Sequence, residues 1–178
     1  MSMKNLQNKL EYGLVLVFTF FMRALPLPLV LLFGRFIGLF FYYVVPIRKS
    51  VAIENISQVF PQKSRKKVRQ IARNTYIQFG QNIVEFMRQP KLSATELSQR
   101  VTFVNGHLFE EARKKNKGAI LLSGHFGNWE LMAAAIRALG YPMIAIAREQ
   151  RNSLIDNVIN KNRAAVGIET LQLGMALR

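Results

Sequence analysis

The chain has 178 residues, half of them apolar, with 25 Lys and Arg against 10 Asp and Glu, a net charge of +15, and no cysteine. The length suits one sizeable domain plus an appendage, and the missing thiols exclude disulfides, a cysteine nucleophile and thiolate metal sites together. So basic a chain with 13 Phe and a positive mean hydropathy points to an anionic membrane surface. It ranks nucleic acid last as a partner, because the aromatics concentrate in the N-terminal apolar region and do not interleave with the cations.

Residues 1–9 are polar and basic through Lys4 and Lys9, and residues 12–22 form an apolar run. No small-x-small cleavage site follows, only Arg23 and then Ala24-Leu25-Pro26-Leu27-Pro28, so the segment reads as an uncleaved anchor. A spanning helix needs about 20 mostly apolar residues, whereas Arg23, Pro26, Pro28 and Arg35 cut residues 12–45 into shorter pieces. Three readings stand: one transmembrane helix with its arginines snorkelling to the surface, a broken hairpin lying in one leaflet, or a buried helical pair. Arg48-Lys49-Ser50 closes the apolar region, and residues 53–60 predict a short helix ended by Pro61. Lys63, Arg65, Lys66, Lys67, Arg69 and Arg73 then gather with no acid among them. They open a helix whose apolar positions Val68, Ile71, Ala72, Phe79, Ile83 and Phe86 recur at helical spacing until Gln89-Pro90 stops it. Cations at a helix N-terminus oppose its dipole. Their presence is read as contact with anionic headgroups or an acidic partner, against the plainer reading of a solvated helix start.

From Leu92 the chain turns polar, and Ser93-Ala94-Thr95-Glu96 fits a capping box. Residues 101–104 predict a strand, 108–117 a helix, 119–122 a buried strand and 128–139 a helix closed by Gly140. Residues 141–147 follow as a strand, 153–166 as a helix stopped by Gly167, and 168–171 as a fourth strand. Such alternation implies an α/β fold with a mostly parallel sheet, flanked by helices and buried on both faces. The expected organisation is a membrane anchor over residues 1–47, a basic amphipathic helical segment over 48–100 and an α/β domain over 101–178. Because the chain ends within an uncapped helical pattern, that domain reads as incomplete at its C-terminus, and the chain as a fragment.

The chemistry concentrates in residues 118–130, GAILLSGHFGNWE. A strand turning into a helix through glycine sets His125 at the mouth of a sheet, beside helix N-terminal N–H groups that favour an anion. Glu130 lies five positions on, about 140° away around a continuous helix. If His125 precedes the helix, the loop can fold back so that the carboxylate orients the imidazole as a general base. His107, the other histidine, reads as an exposed loop residue. Two histidines and no cysteine offer few metal ligands, and no metal site is expected.

The string Gly124-His125-Phe126-Gly127-Asn128-Trp129-Glu130 resembles the H-x4-D/E signature of the lysophospholipid acyltransferase superfamily. In the form HFGNWE it is most similar to the bacterial lipid A biosynthesis acyltransferases, the lauroyl and myristoyl transferases. The apolar N-terminus, the segment from Asn55 to Pro61, Arg148 after a strand, and Arg163 with Gly167 also stand where that family has similar residues. The resemblance implies His125 as the base for an acceptor hydroxyl, Glu130 as its partner, and direct attack on the thioester of acyl carrier protein or coenzyme A, with no other cofactor. It implies a membrane glycolipid acceptor of the lipid A precursor type and a place on the cytoplasmic face of the bacterial inner membrane. Family members are longer, so the chain reads as a C-terminally truncated member. Within this scheme the backbone of Gly127 and Asn128, or a basic side chain, can stabilise the oxyanion, Arg148 and Arg163 can hold phosphates bidentately, and Phe126 and Trp129 can line the acyl path. The alternative is a non-catalytic membrane-surface or lipid-binding module.

Overall fold

The computed structural model describes residues 3–173, which form two compact units that divide between Arg88 and Gln89. The first unit is helical: α1 (Met3–Ala24), α2 (Leu27–Tyr43), α3 (Lys49–Val59) and α4 (Arg65–Arg88). Pro26, extended at ψ 146°, separates α1 from α2, and Pro28 sits in the first turn of α2, where a missing N–H costs no helix bond. Helix α2 packs along α4 through a seam of glycines. A Cβ on Gly38 would overlap the Tyr76 carbonyl and lie 2.5 Å from the Ile77 Cα, and one on Gly34 would lie 2.8 Å from the Gln81 Cα. Beside the seam, Met22, Val30 and Val84 form a core with Phe18, Leu25, Ile37 and Met87.

Two arginines close this unit reciprocally. Arg23, at the end of α1, donates through Nε to the Met87 carbonyl at 2.8 Å, and Arg88, at the end of α4, donates to the carbonyls of Met22 and Leu25. Each cation satisfies carbonyls at the negative end of the other's helix. Arg23 therefore works as a cap within the unit and does not snorkel.

The expected transmembrane helix is corrected: among the described residues no helix is long and apolar enough to cross a membrane. Helix α1 has 22 residues, but its first turns carry Lys4, Lys9 and Glu11 and its last carries Arg23; α2 is far more apolar but has only 17 residues, with Arg35 near its middle. Both helices nevertheless leave large apolar side chains exposed, Phe20, Phe21, Phe36 and Phe40 among them.

The second unit contains a 3-10 turn (Gln89–Lys91), α5 (Ala94–Arg100), α6 (His107–Lys114), α7 (Trp129–Ala138), β1 (Met143–Ala147), α8 (Ser153–Ala165) and β2 (Ile168–Gln172). The Ser93 capping box forms as read from the sequence: the hydroxyl accepts from the Glu96 N–H, and the Glu96 carboxylate accepts from the Ser93 N–H. Gly140 (φ 92°) and Gly167 (φ 78°) end α7 and α8 in the left-handed region that glycine tolerates. Strands β1 and β2 pair in parallel, Met143 opposite Ile168 through Ala147 opposite Gln172, with α8 as the crossover.

The α/β class thus stands, as eight α-helices and a two-stranded parallel sheet among the described residues. Residues 101–104 and 119–122, expected as strands, are irregular. A strand exists only with a ladder partner, and neither segment has one among the described residues; Ile120 is 97% exposed and Leu122 93%. Nor is the sheet covered on both faces by the described residues. Met143 and Ala145 join a core with Leu97, Ala134 and Ile168 under α5 and α7, while Ile144 and Ile146 on the other face remain exposed.

Candidate active site

Local chemistry sets the start of α7. Gly127 takes φ 59°, turning the chain just before Asn128, whose side-chain oxygen accepts the Leu131 N–H at 3.1 Å. That bond satisfies one of the helix's open donors and fixes its first residue as Trp129. Glu130 then falls in the first turn, where the dipole favours a carboxylate.

Glu130 turns to Arg163. In the last turn of α8, the Arg163 guanidinium grips the carboxylate with two bonds, Nη2 to Oε1 at 2.6 Å and Nε to Oε2 at 3.1 Å. Both side chains are about 15% exposed, at 16% and 15%, so the pair is largely withdrawn from water. Each ion also sits at the helix end that favours its charge. Gln89, 1% exposed, donates through its amide to the Glu130 main-chain carbonyl at 3.2 Å.

His125 lies outside this arrangement. It is exposed, its ring meets the Trp129 indole edge-to-face at 4.7 Å, and among the described residues it has no hydrogen-bond partner. The expected pairing of His125 with Glu130 is not formed in this structure; the carboxylate's two oxygens turn to Arg163 instead. Phe126 projects into solvent at 92% exposure, and half-buried Trp129 packs on the imidazole. Arg148 follows the C-terminal end of β1 and is exposed. His107 opens α6 as an exposed residue, as its sequence position suggested.

The structure therefore brings Glu130 and Arg163 together, caps α7 with Asn128, and leaves His125 and Arg148 to solvent. Sequence reasoning missed two features: the Glu130–Arg163 pair, which links residues 33 positions apart, and Gln89 beneath it. Helix-end placement was the available signal for the first. None pointed to Gln89, which reads as part of the proline stop of α4. Chemically, the site offers an accessible imidazole that can take a proton and a guanidinium already committed to a carboxylate.

The chain is 32% identical over 114 residues to lipid A biosynthesis acyltransferase 2 of Shigella flexneri, a match that covers 64% of this chain and 36% of that protein. It thus spans about a third of the length of the curated relative it matches. No solved structure matches it. An exposed histidine in HFGNWE at the mouth of a helix, the acid of that motif seated in the helix's first turn, and a family pattern matched across residues 2–178 agree: the chain belongs to the bacterial lipid A biosynthesis acyltransferase family.

Proposed function

We propose that His125 is the general base of an acyl transfer from a thioester, on acyl carrier protein or coenzyme A, to a hydroxyl of a membrane glycolipid of the lipid A precursor class. The imidazole takes the hydroxyl proton as that oxygen attacks the thioester carbonyl; the ester C–O bond forms, the C–S bond breaks, and the proton leaves with the thiol. Backbone N–H groups at Gly127 and Asn128 serve the oxyanion. The observation that carries this reading is the exposed His125 imidazole, unpaired among the described residues, in the HFGNWE string. The exposed apolar side chains of α1 and α2 support work at a membrane surface; the choice of the cytoplasmic face of the inner membrane rests on the family resemblance alone.

Arg148 and Arg163 are assigned to the substrate's phosphates. Arg163 holds Glu130 through its Nε and Nη2 edge, and a guanidinium has a second edge, Nη1 with Nη2, that can present two further donors to a phosphate. A phosphate that took the Nε edge instead would release the Glu130 carboxylate, which then becomes available to orient His125. A transfer assay on the native protein, with defined thioester donors and glycolipid acceptors, tests the scheme. His125→Ala should lose about 10² to 10⁴ of the rate, and near-normal transfer by that variant overturns the mechanism. A second reading is a lipid-binding module without catalysis, favoured by the engagement of Glu130 by Arg163. It is supported if the unmodified protein transfers no acyl chain from any donor while still binding lipid.

A further inference from the structure

The cations at the start of α4, left between two readings by the sequence, form part of a cavity in the first unit. A hollow of about 790 Å³ is walled by Tyr42, Tyr43, Lys49, Lys66, Arg69 and Arg73, and no carboxylate lines it. Lys66, Arg69 and Arg73 recur at three and four along one face of α4, a spacing at which like charges repel. Lys49, the first residue of α3, faces them with its ammonium 4.1 Å from the Tyr42 ring centroid. The Tyr42 hydroxyl donates to the Arg69 carbonyl at 3.2 Å, tying the end of α2 to this turn of α4. The Arg73 Nε is buried and has no hydrogen-bond partner among the described residues. Four cations thus converge without an internal counter-charge, one of them with a buried donor unused.

What adjoins the hollow identifies the occupant. Across the turn formed by Ile47 and Arg48 lies a second cavity of about 440 Å³, lined by Ile37, Phe41, Tyr76, Phe79 and Ile83, with Arg48 as its one charged residue. Tyr42 of the basic hollow and Tyr76 of the apolar one stack edge-to-face at 5.5 Å, so the two are immediate neighbours. Exposed Tyr43 lines the first and exposed Ile47 the second, and Val44 and Val45, between them in sequence, are exposed as well. An acidic protein would use the cations and leave the apolar cavity and rim idle. We propose that this end of the unit is a docking site for an anionic membrane phospholipid, its phosphate held by Lys49, Lys66, Arg69 and Arg73 and an acyl chain entering the neighbouring cavity.

The site rests on the membrane-surface reading above but uses none of the residues assigned to acyl transfer, and lipid binding is read without turnover, so either proposal can fail alone. Sedimentation of the protein with phosphatidylcholine vesicles, with and without phosphatidylglycerol, measures it. Each basic residue near an anionic surface is worth about fivefold in binding, so Arg69→Gln/Arg73→Gln should lose about 25-fold on phosphatidylglycerol vesicles and keep its binding to neutral ones. Lys114→Gln/Lys115→Gln, which removes the same charge from the second unit, should lose far less; equal losses would mean diffuse charge and overturn the site. Should the arginine pair fold poorly by circular dichroism, Lys66→Gln, at an exposed position, must show the same selective loss. Short-chain phosphatidylglycerol should compete and inorganic phosphate should not; equal competition by phosphate overturns the lipid assignment. An unaltered phosphatidylglycerol preference in the arginine variant, with loss of acyl carrier protein binding, would reassign the hollow to a protein partner.

Discussion

The Glu130–Arg163 pair ties the first turn of α7 to the last turn of α8 with two charge-assisted bonds at about 15% exposure. Removing one ion strands the other where water reaches it poorly, so Glu130→Ala and Arg163→Ala should each destabilise the fold by about 3 kcal/mol. The double variant should lose less than the sum, with a coupling of about 1 to 3 kcal/mol in a denaturant cycle; strict additivity would contradict the pair. A second residue-scale contact governs pH dependence. The Tyr141 hydroxyl donates to Glu110 at 2.5 Å, and Arg113 grips the other oxygen at 2.9 and 3.2 Å. The Tyr141 bond first, and then Arg113, hold the Glu110 carboxyl below the usual carboxylate range, while the same bond pushes the Tyr141 hydroxyl up. A depressed carboxyl pKa contributes stability above its unfolded value and loses it as pH falls through the folded one. Tyr141→Phe should therefore melt below the unmodified protein at neutral pH, with the gap closing in acid. A gap that persists far below the carboxylate range would rule this out. At this scale the sequence exposed identities but not partners: His125, Glu130 and Arg163 were legible, yet which cation meets Glu130 depends on how α8 folds back on α7.

Among the elements, the α2–α4 seam is the most exacting. Gly34 and Gly38, four residues apart, share one face of α2, and Gly80 of α4 approaches both so closely that none of the three has room for a methyl. Gly38→Ala should force the helices apart and destabilise the unit by about 1 to 3 kcal/mol. Gly13, in the interior of α1, would meet nothing within 4 Å if it carried a methyl and should respond oppositely, Gly13→Ala gaining about 0.5 to 1 kcal/mol. Thermal melts of the two variants check both signs. The spacing of Gly34 and Gly38 is plain in the sequence, but only the opposing glycine reveals its purpose. Helix periodicity and punctuation carried well: the Ser93 cap, the stop at Gln89 and Pro90, and the turns at Gly140 and Gly167 all lie where the residues demand them. The strands carried half as far. Residues 143–147 and 168–172 pair through the α8 crossover, whereas residues 101–104 and 119–122 have equal apolar character and no ladder partner among the described residues. Local pattern indicates that a segment can be a strand; only a neighbouring edge makes it one.

Over the whole chain, 25 cations and a wide apolar surface coexist without a helix fit to cross a membrane among the described residues. Those features are reconciled if the first unit lies at a lipid surface, its uncovered side chains in the headgroup and acyl boundary and its cations against anionic lipids. The two contributions are separable because different residues supply them. Phe20, Phe36 and Phe40, at 68%, 58% and 48% exposure, lie off the glycine seam and outside the core around Met22, Val30 and Val84. Replacing all three with Ser should leave the melting temperature nearly unchanged, since surface substitutions away from packed features shift stability by about 0.5 kcal/mol or less each. Binding to neutral phosphatidylcholine vesicles should fall about a hundredfold, from about 1 kcal/mol of lost apolar burial per ring. This loss should persist at high salt, which screens the cations but not the apolar contribution. A triple-Ser variant that binds neutral vesicles as well as the unmodified protein would show that these rings do not meet lipid.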